Sequence, residues 1–403
     1  MMQRRSFLKS TLAAGAGVSA LSLQAAAEDA PQTATGSVFS GKAVVCGPAP
    51  DSLTILQPVH GPATGFLEIA VAGGPFQRIE AEAAGLLPYA QHVLKFRLPP
   101  VPGGVELRYR VTARPVDFQN AYKILPGEPE AIEPVAIRTL DPASASTRFH
   151  IWNDTHENLE TLQLLHARTA EARPDFLVWN GDQTNDIYDE TLMTGQFLAP
   201  GGLPIAAEWP LAYARGNHDV RGPAARKLAE FTGSPDDRYY CAFRSGPVAV
   251  LVMDTGEDKP DDHPVFGGLA AFEPMRRRQQ AWLAETIQAA WFSEAPFKVL
   301  CCHIPLWWKD EVTDVGHWRF SRVCRDAWLP LLVEGGVQLV VSGHTHEPAW
   351  LPPGAERPIG QLIGGAPRPQ QATLIEGVAD DSRLTLTMRR LDGRALETVE
   401  LTA

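Results

Sequence analysis

The chain has 403 residues, with 36 lysines and arginines against 47 aspartates and glutamates, for a formal charge of −11. That acidic balance argues against broad binding to nucleic acid or to an anionic membrane, and is compatible with a small phosphate ester drawn to a dication. The length suggests two domains rather than one. Five cysteines, Cys46, Cys241, Cys301, Cys302 and Cys324, are an odd count without regular spacing, so no disulfide framework is expected and no pairing is read. Cys301 and Cys302 lie in an apolar run and read as core.

In chain order, the first feature is Gln3-Arg-Arg-Ser-Phe-Leu-Lys9, followed by an apolar stretch over 10–23 and then Ala25-Ala26-Ala27 before Glu28. It is similar to a bacterial twin-arginine signal ending in an A-x-A cleavage site. The stretch is short and rich in Ala, Gly and Ser, a poor membrane span. Residues 1–27 therefore read as a cleaved signal, placing the protein in the periplasm or outside the cell, with no stable membrane insertion after cleavage. That route carries folded proteins, so a metal protein would load its ions before export.

A linker over 28–37 leads into a stretch that reads as all-β up to residue 140. Short, often alternating segments at 38–45, 52–57, 65–71, 78–83, 92–98, 105–113 and 135–140 are separated by Gly- and Pro-bearing turns. Seven strands in about a hundred residues fit a β-sandwich. Leu107-Arg-Tyr-Arg-Val111 near its end resembles a fibronectin type III-like domain. From 147 to 403 strands alternate with helices, the latter expected at 157–172, 223–231, 275–292 and 321–334. Strands before and after with helices outside argue for two sheets between helical layers, an α/β class.

Five clusters carry the chemistry: Asp154-Thr-His156, Gly181-Asp182, Gly216-Asn217-His218-Asp219, His303, and Gly343-His344-Thr-His346. Most follow an apolar run, which places their side chains at the carboxyl ends of strands, where α/β folds build sites. Asp and His ligands without thiolate suit Zn, Mn or Fe. Two dications need a shared anion against their repulsion, and a carboxylate such as Asp182 supplies it.

Taken together, the five clusters resemble the calcineurin-like metallophosphoesterases. The resemblance implies a four-layer αββα sandwich holding two divalent or mixed-valence metal ions. Asp154, His156 and His346 would bind one, Asn217, His303 and His344 the other, and Asp182 would bridge them. His218 would face the substrate with Asp219 behind it as orienting partner, and a hydroxide bridging the metals would hydrolyse phosphate mono- or diesters. The order of sandwich and catalytic domain resembles purple acid phosphatases, which replace the first-motif histidine and carry a tyrosine three residues after the Asp of Gly-Asp. Here His156 is kept and the later position is Asn185, with Tyr188 too far along, so no obligatory ferric site is implied.

Around the site, Trp307 and Trp308, His317 and Arg215 are candidates for substrate contact, each with a packing, surface or salt-bridge alternative. The run Met275-Arg-Arg-Arg278 reads as a solvated helix face, and 258–263 as an acidic surface loop. Two other functions stay open at this point: an inactive secreted binding protein with the same fold, and a metal-dependent hydrolase of a non-phosphate ester.

Overall fold

Uniformly apolar runs become strands buried on both faces. The computed structural model describes residues 36–50, 52–79, 81–309 and 316–403, without the side chains of 316–321. The expected signal and most of the linker therefore lie outside the described residues. Ser146–Trp152, Phe176–Asn180 and Leu211–Ala214 run parallel in one sheet. Val248–Met253, Phe297–Cys302, Leu339–Ser342 and Gly360–Ile363 run parallel in another.

The period of two sends alternate residues to opposite layers. Phe149, Ile151, Phe176, Val178 and Ala212 meet Val250, Val252, Val299 and Val341 in a core between the sheets. Trp152, Leu177 and Trp179 pack with Leu162 and Leu165 of the helix Leu159–Ala172. Leu251, Leu300 and Val340 pack with Leu283 and Trp328 from the helices Phe272–Thr286 and Gly316–Glu334. The layers are helix, sheet, sheet, helix, as the strand and helix pattern suggests.

The sandwich expected at 38–140 shares a wall with the region that follows. Ser37–Ala403 is a single compact unit. The first sheet has nine strands in the order Ala395–Thr402, Arg383–Arg390, Thr373–Asp380, Ser146–Trp152, Phe176–Asn180, Leu211–Ala214, Val44–Cys46, Thr54–Pro58 and Val93–Arg97. The last three belong to the sandwich, and Val44–Cys46 lies parallel to Leu211–Ala214. Its other face is Val135–Arg138, Glu106–Asn120, Ala63–Val71 and Gln77–Ile79.

The reason is in the alternation. Val45, Ile55, Leu94 and Phe96 point into the sandwich core, whereas Val44, Cys46, Leu56 and Val93 point into the core under Trp152 and Trp179. Strands apolar on both faces need cover on both. A boundary near residue 140 thus marks a change of pattern along the chain and not a gap between two bodies.

Smaller differences have local causes. Leu211–Ala214 was not foreseen because four residues carry too little periodicity, and Cys241–Ser245 is a second unforeseen strand. The helix expected at 223–231 is a 3-10 turn, Pro223–Lys227, running into Leu228–Thr232. The one expected at 275–292 breaks after Thr286, with a single further turn at Ala290–Ser293. All five cysteines are buried and free.

Candidate metal centre

Five of the parallel strands end in turns that carry a ligand-type side chain. Asp154 follows Ser146–Trp152, Asp182 follows Phe176–Asn180, and Asn217 follows Leu211–Ala214. His303 and His344 follow Phe297–Cys302 and Leu339–Ser342. Asp154, His156, Asp182, His344 and His346 have φ between 43° and 71°. That left-handed region costs a side-chain-bearing residue about 1–2 kcal/mol, and Asp and His enter it more readily than most. Strain concentrated on five candidate ligands marks a built site.

The motif glycines provide room. A Cβ on Gly181 would sit 2.3 Å from His303 Nδ1, one on Gly216 2.2 Å from Asp182 Oδ1, and one on Gly343 2.4 Å from Asp154 Oδ2. Each glycine lets a ligand-type side chain from another segment press against the backbone.

All seven predicted ligands come together. His303 Nε2 lies 3.1 Å from Asp182 Oδ2 and 4.0 Å from Asp154 Oδ1. His156 Nε2 is 3.5 Å from Asp182 Oδ2, and His346 Nε2 is 3.4 Å from Asp154 Oδ1. The Nε2 atoms of His156 and His346 face each other at 3.1 Å, and His344 Nδ1 is 2.8 Å from Asn217 Oδ1. Three overlapping groups, Asp154/His156/His346, His156/Asp182/His218 and Asp182/His303/His344, each bring their ligand atoms within 4.8 Å of one another. Asp182 belongs to two of them.

The arrangement fits cations. Asp154 and Asp182 are 0% and 2% exposed, and buried carboxylates side by side repel unless a positive charge sits between them. Asp154 Oδ2 is buried without a hydrogen-bond partner, and His303 Nε2 faces the Asp182 and Asp154 carboxylates, an arrangement that calls for a cation among them. His303 Nδ1 donates to the Asn180 carbonyl at 3.1 Å, which turns Nε2 inward toward Asp182. Burial pulls His303 down, but Asp182 and Asp154 outweigh it and hold the ring up at about 9. Burial, helped by the neighbouring His303, brings His344 down to about 4. The proton on His303 is the one a metal ion would displace.

One predicted role changes. Asp219 does not orient His218: its Oδ2 accepts from the backbone N–H of Asp182 (2.9 Å) and Gly216 (2.8 Å), and its Oδ1 from Thr184 (3.2 Å). It fastens the turns that carry the ligands. Burial and then the nearby Asp182 charge push its carboxyl up to about 7. His218 is oriented by the Asn185 carbonyl, 2.8 Å from its Nδ1. A carbonyl only accepts, so Nδ1 carries the proton and Nε2 is left as the acceptor, with Arg221 Nη1 3.1 Å away.

The remaining candidates separate. Arg215 turns away to Asp254 at 2.6 Å and lies over Tyr239, so it is structural. Trp307 is buried, whereas Trp308 is half-buried with its ring 5.6 Å from that of His344. The side chain of His317 is outside the described residues. Arg276 does not join a solvated face, because it is buried and donates to the Thr255 and Glu257 carbonyls. Asp258, expected on the surface, is buried.

Sequence reasoning missed Asn180, Arg221 and the contacts of Asn185. Residues 147–348 match the family model for calcineurin-like phosphoesterase. The chain belongs to that family. It is 26% identical to the serine/threonine-protein phosphatase CPPED1 of Bos taurus over 172 residues, 42% of this chain and 49% of that protein. The Rattus norvegicus CPPED1 is 23% identical over the same length. The chain thus spans about half the length of the curated relatives it matches. Among solved structures, purple acid phosphatase PPD1 from yellow lupin (Lupinus luteus) seeds superposes with a TM-score of 0.66 at 14% identity, covering 89% of this chain and 74% of that one. At that identity the likeness is one of fold.

Within the family, the two departures from the purple acid phosphatase pattern prove to be one. Asn185 Oδ1 lies 3.2 Å from His156 Nδ1, so the residue at the tyrosine position orients the retained histidine. Tyr188, 69% exposed, takes no part.

Proposed function

We propose that the protein is an exported, dinuclear metal-dependent phosphoesterase that hydrolyses phosphate mono- or diesters. The observation that carries the reading is the convergence of seven ligand-type side chains from five turns around Asp182, with His218 on their rim. Asp154, His156 and His346 would hold one ion, Asn217, His303 and His344 the other, with Asp182 shared. Bound there, such ions supply activation of water and charge stabilisation of the phosphoryl group, with Zn, Mn and Fe suited to the donor set.

The chain's own residues do the rest. Asn180 and Asn185 fix the His303, His156 and His218 rings. His218 Nε2, the nitrogen not held by the Asn185 carbonyl, is the atom that can hold a proton for a departing oxygen. Trp308 gives one wall of the site an aromatic edge. The strand order of the N-terminal block, three strands facing four, supports reading it as fibronectin type III-like.

The test is metal content of protein purified without added metal, with hydrolysis of a panel of phosphate mono- and diesters in Mn, Zn or Fe. About two metal equivalents and turnover of a phosphate ester are expected. Two bound metals with no phosphate ester cleaved would support the non-phosphate hydrolase instead, and a protein that binds no metal would be the inactive binding protein.

Export is a separate part of the proposal. It rests on Arg4 and Arg5 ahead of an Ala-rich apolar stretch. Replacing both by lysine should strand the precursor in the cytoplasm, read by fractionation. Undiminished periplasmic accumulation would remove the twin-arginine route.

A further inference from the structure

One cation on the rim of the site is assigned no role by the ligand motifs. Arg221 lies three residues after His218, and its Nη1 sits 3.1 Å from His218 Nε2. Its Nε donates to Glu257 Oε1 at 2.7 Å, and its Nη2 is 3.7 Å from Asp258 Oδ1. Glu257 is 1% exposed, so the guanidinium is gripped from the protein side by a buried carboxylate, while the Arg221 side chain itself keeps 31% of its surface open. Among the charges that favour its cationic form is Asp182, the shared carboxylate. Arg215, the other arginine of this turn, is consumed by Asp254, with its side chain only 13% exposed. A fixed cation therefore stands beside His218 on the rim of the site, with its Nη1 set against a ring nitrogen of His218. An anionic oxygen is a stronger acceptor than that ring nitrogen.

Phosphate monoesters and diesters differ in what they would offer Arg221. Above its second pKa near 6 a monoester carries about two negative charges and three terminal oxygens. A diester carries one charge, and an alkyl or aryl group occupies the third oxygen. We infer that Arg221 receives the extra terminal oxygen of a monoester dianion and so sets this site toward phosphate monoesters. The inference rests on the phosphoesterase reading above. Arginine suits the position because its planar fork can bond Glu257 through one edge and present the Nη groups with the other.

The experiment compares full-length wild type, Arg221→Gln and Arg221→Lys, all metal-loaded, on 4-nitrophenyl phosphate and bis(4-nitrophenyl) phosphate at pH 8. Calorimetric titration with inorganic phosphate and with dimethyl phosphate gives a readout independent of turnover. Charge-assisted hydrogen bonds predict a fall of about 10–100-fold in monoester kcat/KM for Arg221→Gln, and a matching loss of inorganic phosphate affinity. The diester arms should move less than about 3-fold on the same reasoning, since their missing oxygen never used Arg221. Metal content should stay unchanged, because Arg221 is not among the ligand groups and Glu257 keeps Lys259 at 3.6 Å. Arg221→Lys should recover part of the monoester activity, and it carries the comparison by itself if the glutamine variant does not fold.

Equal losses on both esters, unchanged phosphate affinity, or a wild type that prefers the diester would overturn the assignment. A wild type that loads two metals and cleaves neither ester overturns the phosphoesterase reading itself, and this inference with it.

Discussion

Asp182→Asn is expected to remove about one metal equivalent and at least about 10³-fold of turnover, the largest effect of any single substitution in the site. The side chain is almost fully buried, and Oδ2 is the atom nearest both His303 and His156. Its Oδ1 accepts the backbone N–H of His218 at 2.9 Å. Asparagine keeps the shape and that acceptor, so the turn should survive. What it loses is the negative charge between two groups of ligands, which is the quantity that makes two neighbouring cations tolerable. Metal analysis and kcat on the same preparation provide the check. A variant with two tightly held metals and near-normal turnover would show that Asp182 does not bridge.

His218→Ala should act on the reaction and leave metal loading nearly intact. General acid–base and charge-stabilising groups are worth about 10²–10³-fold, or roughly 3–4 kcal/mol. Nε2 is the ring nitrogen not tied to the backbone, so the loss should be largest for alkyl phosphates, whose alkoxide leaving groups need a proton. It should be smaller for nitrophenyl phosphates, which depart without one. The competing role is real in the geometry, since His218 lies with His156 and Asp182 in one of the three ligand groups. Stoichiometric loss of metal would make it a ligand. Equal loss for good and poor leaving groups would favour charge stabilisation over proton donation.

The ligands were legible in the sequence because their requirements are local: a strand, a glycine, then a carboxylate, amide or imidazole on the turn. Asp154, Asp182 and His344 satisfy that within a few residues. Roles that depend on distant partners were not legible. Asp219 follows His218 directly, yet successive residues of a turn point apart, and its carboxylate meets backbone from 181–184 and from Gly216 instead. Arg215 and Arg221 flank the same motif. Which one faces the site is decided by Asp254 and Glu257, buried carboxylates more than thirty residues away. The strand Val44–Cys46 shows the same limit at the scale of the fold. Its apolar residues announce burial on both faces, but not which sheet supplies the neighbour.

That shared sheet has a mechanical consequence. Hydrogen bonds from Val45 to the Ala206 carbonyl, from Gly47 to Leu211 and from the Tyr109 hydroxyl to Ala207 join the N-terminal block to the segment that leads into the strand before Asn217. A Cβ on Gly47 would lie 2.0 Å from the Gly233 carbonyl oxygen, so the two backbones are also in contact there. The N-terminal block is therefore a splint on the strand that delivers Asn217 and His218, not a passenger ahead of the enzyme. Cutting the chain at residue 147 would strip cover from Leu211–Ala214 and leave an apolar edge open to other chains. Stability and the placing of one wall of the site are thus properties of the whole unit, inherited together or lost together.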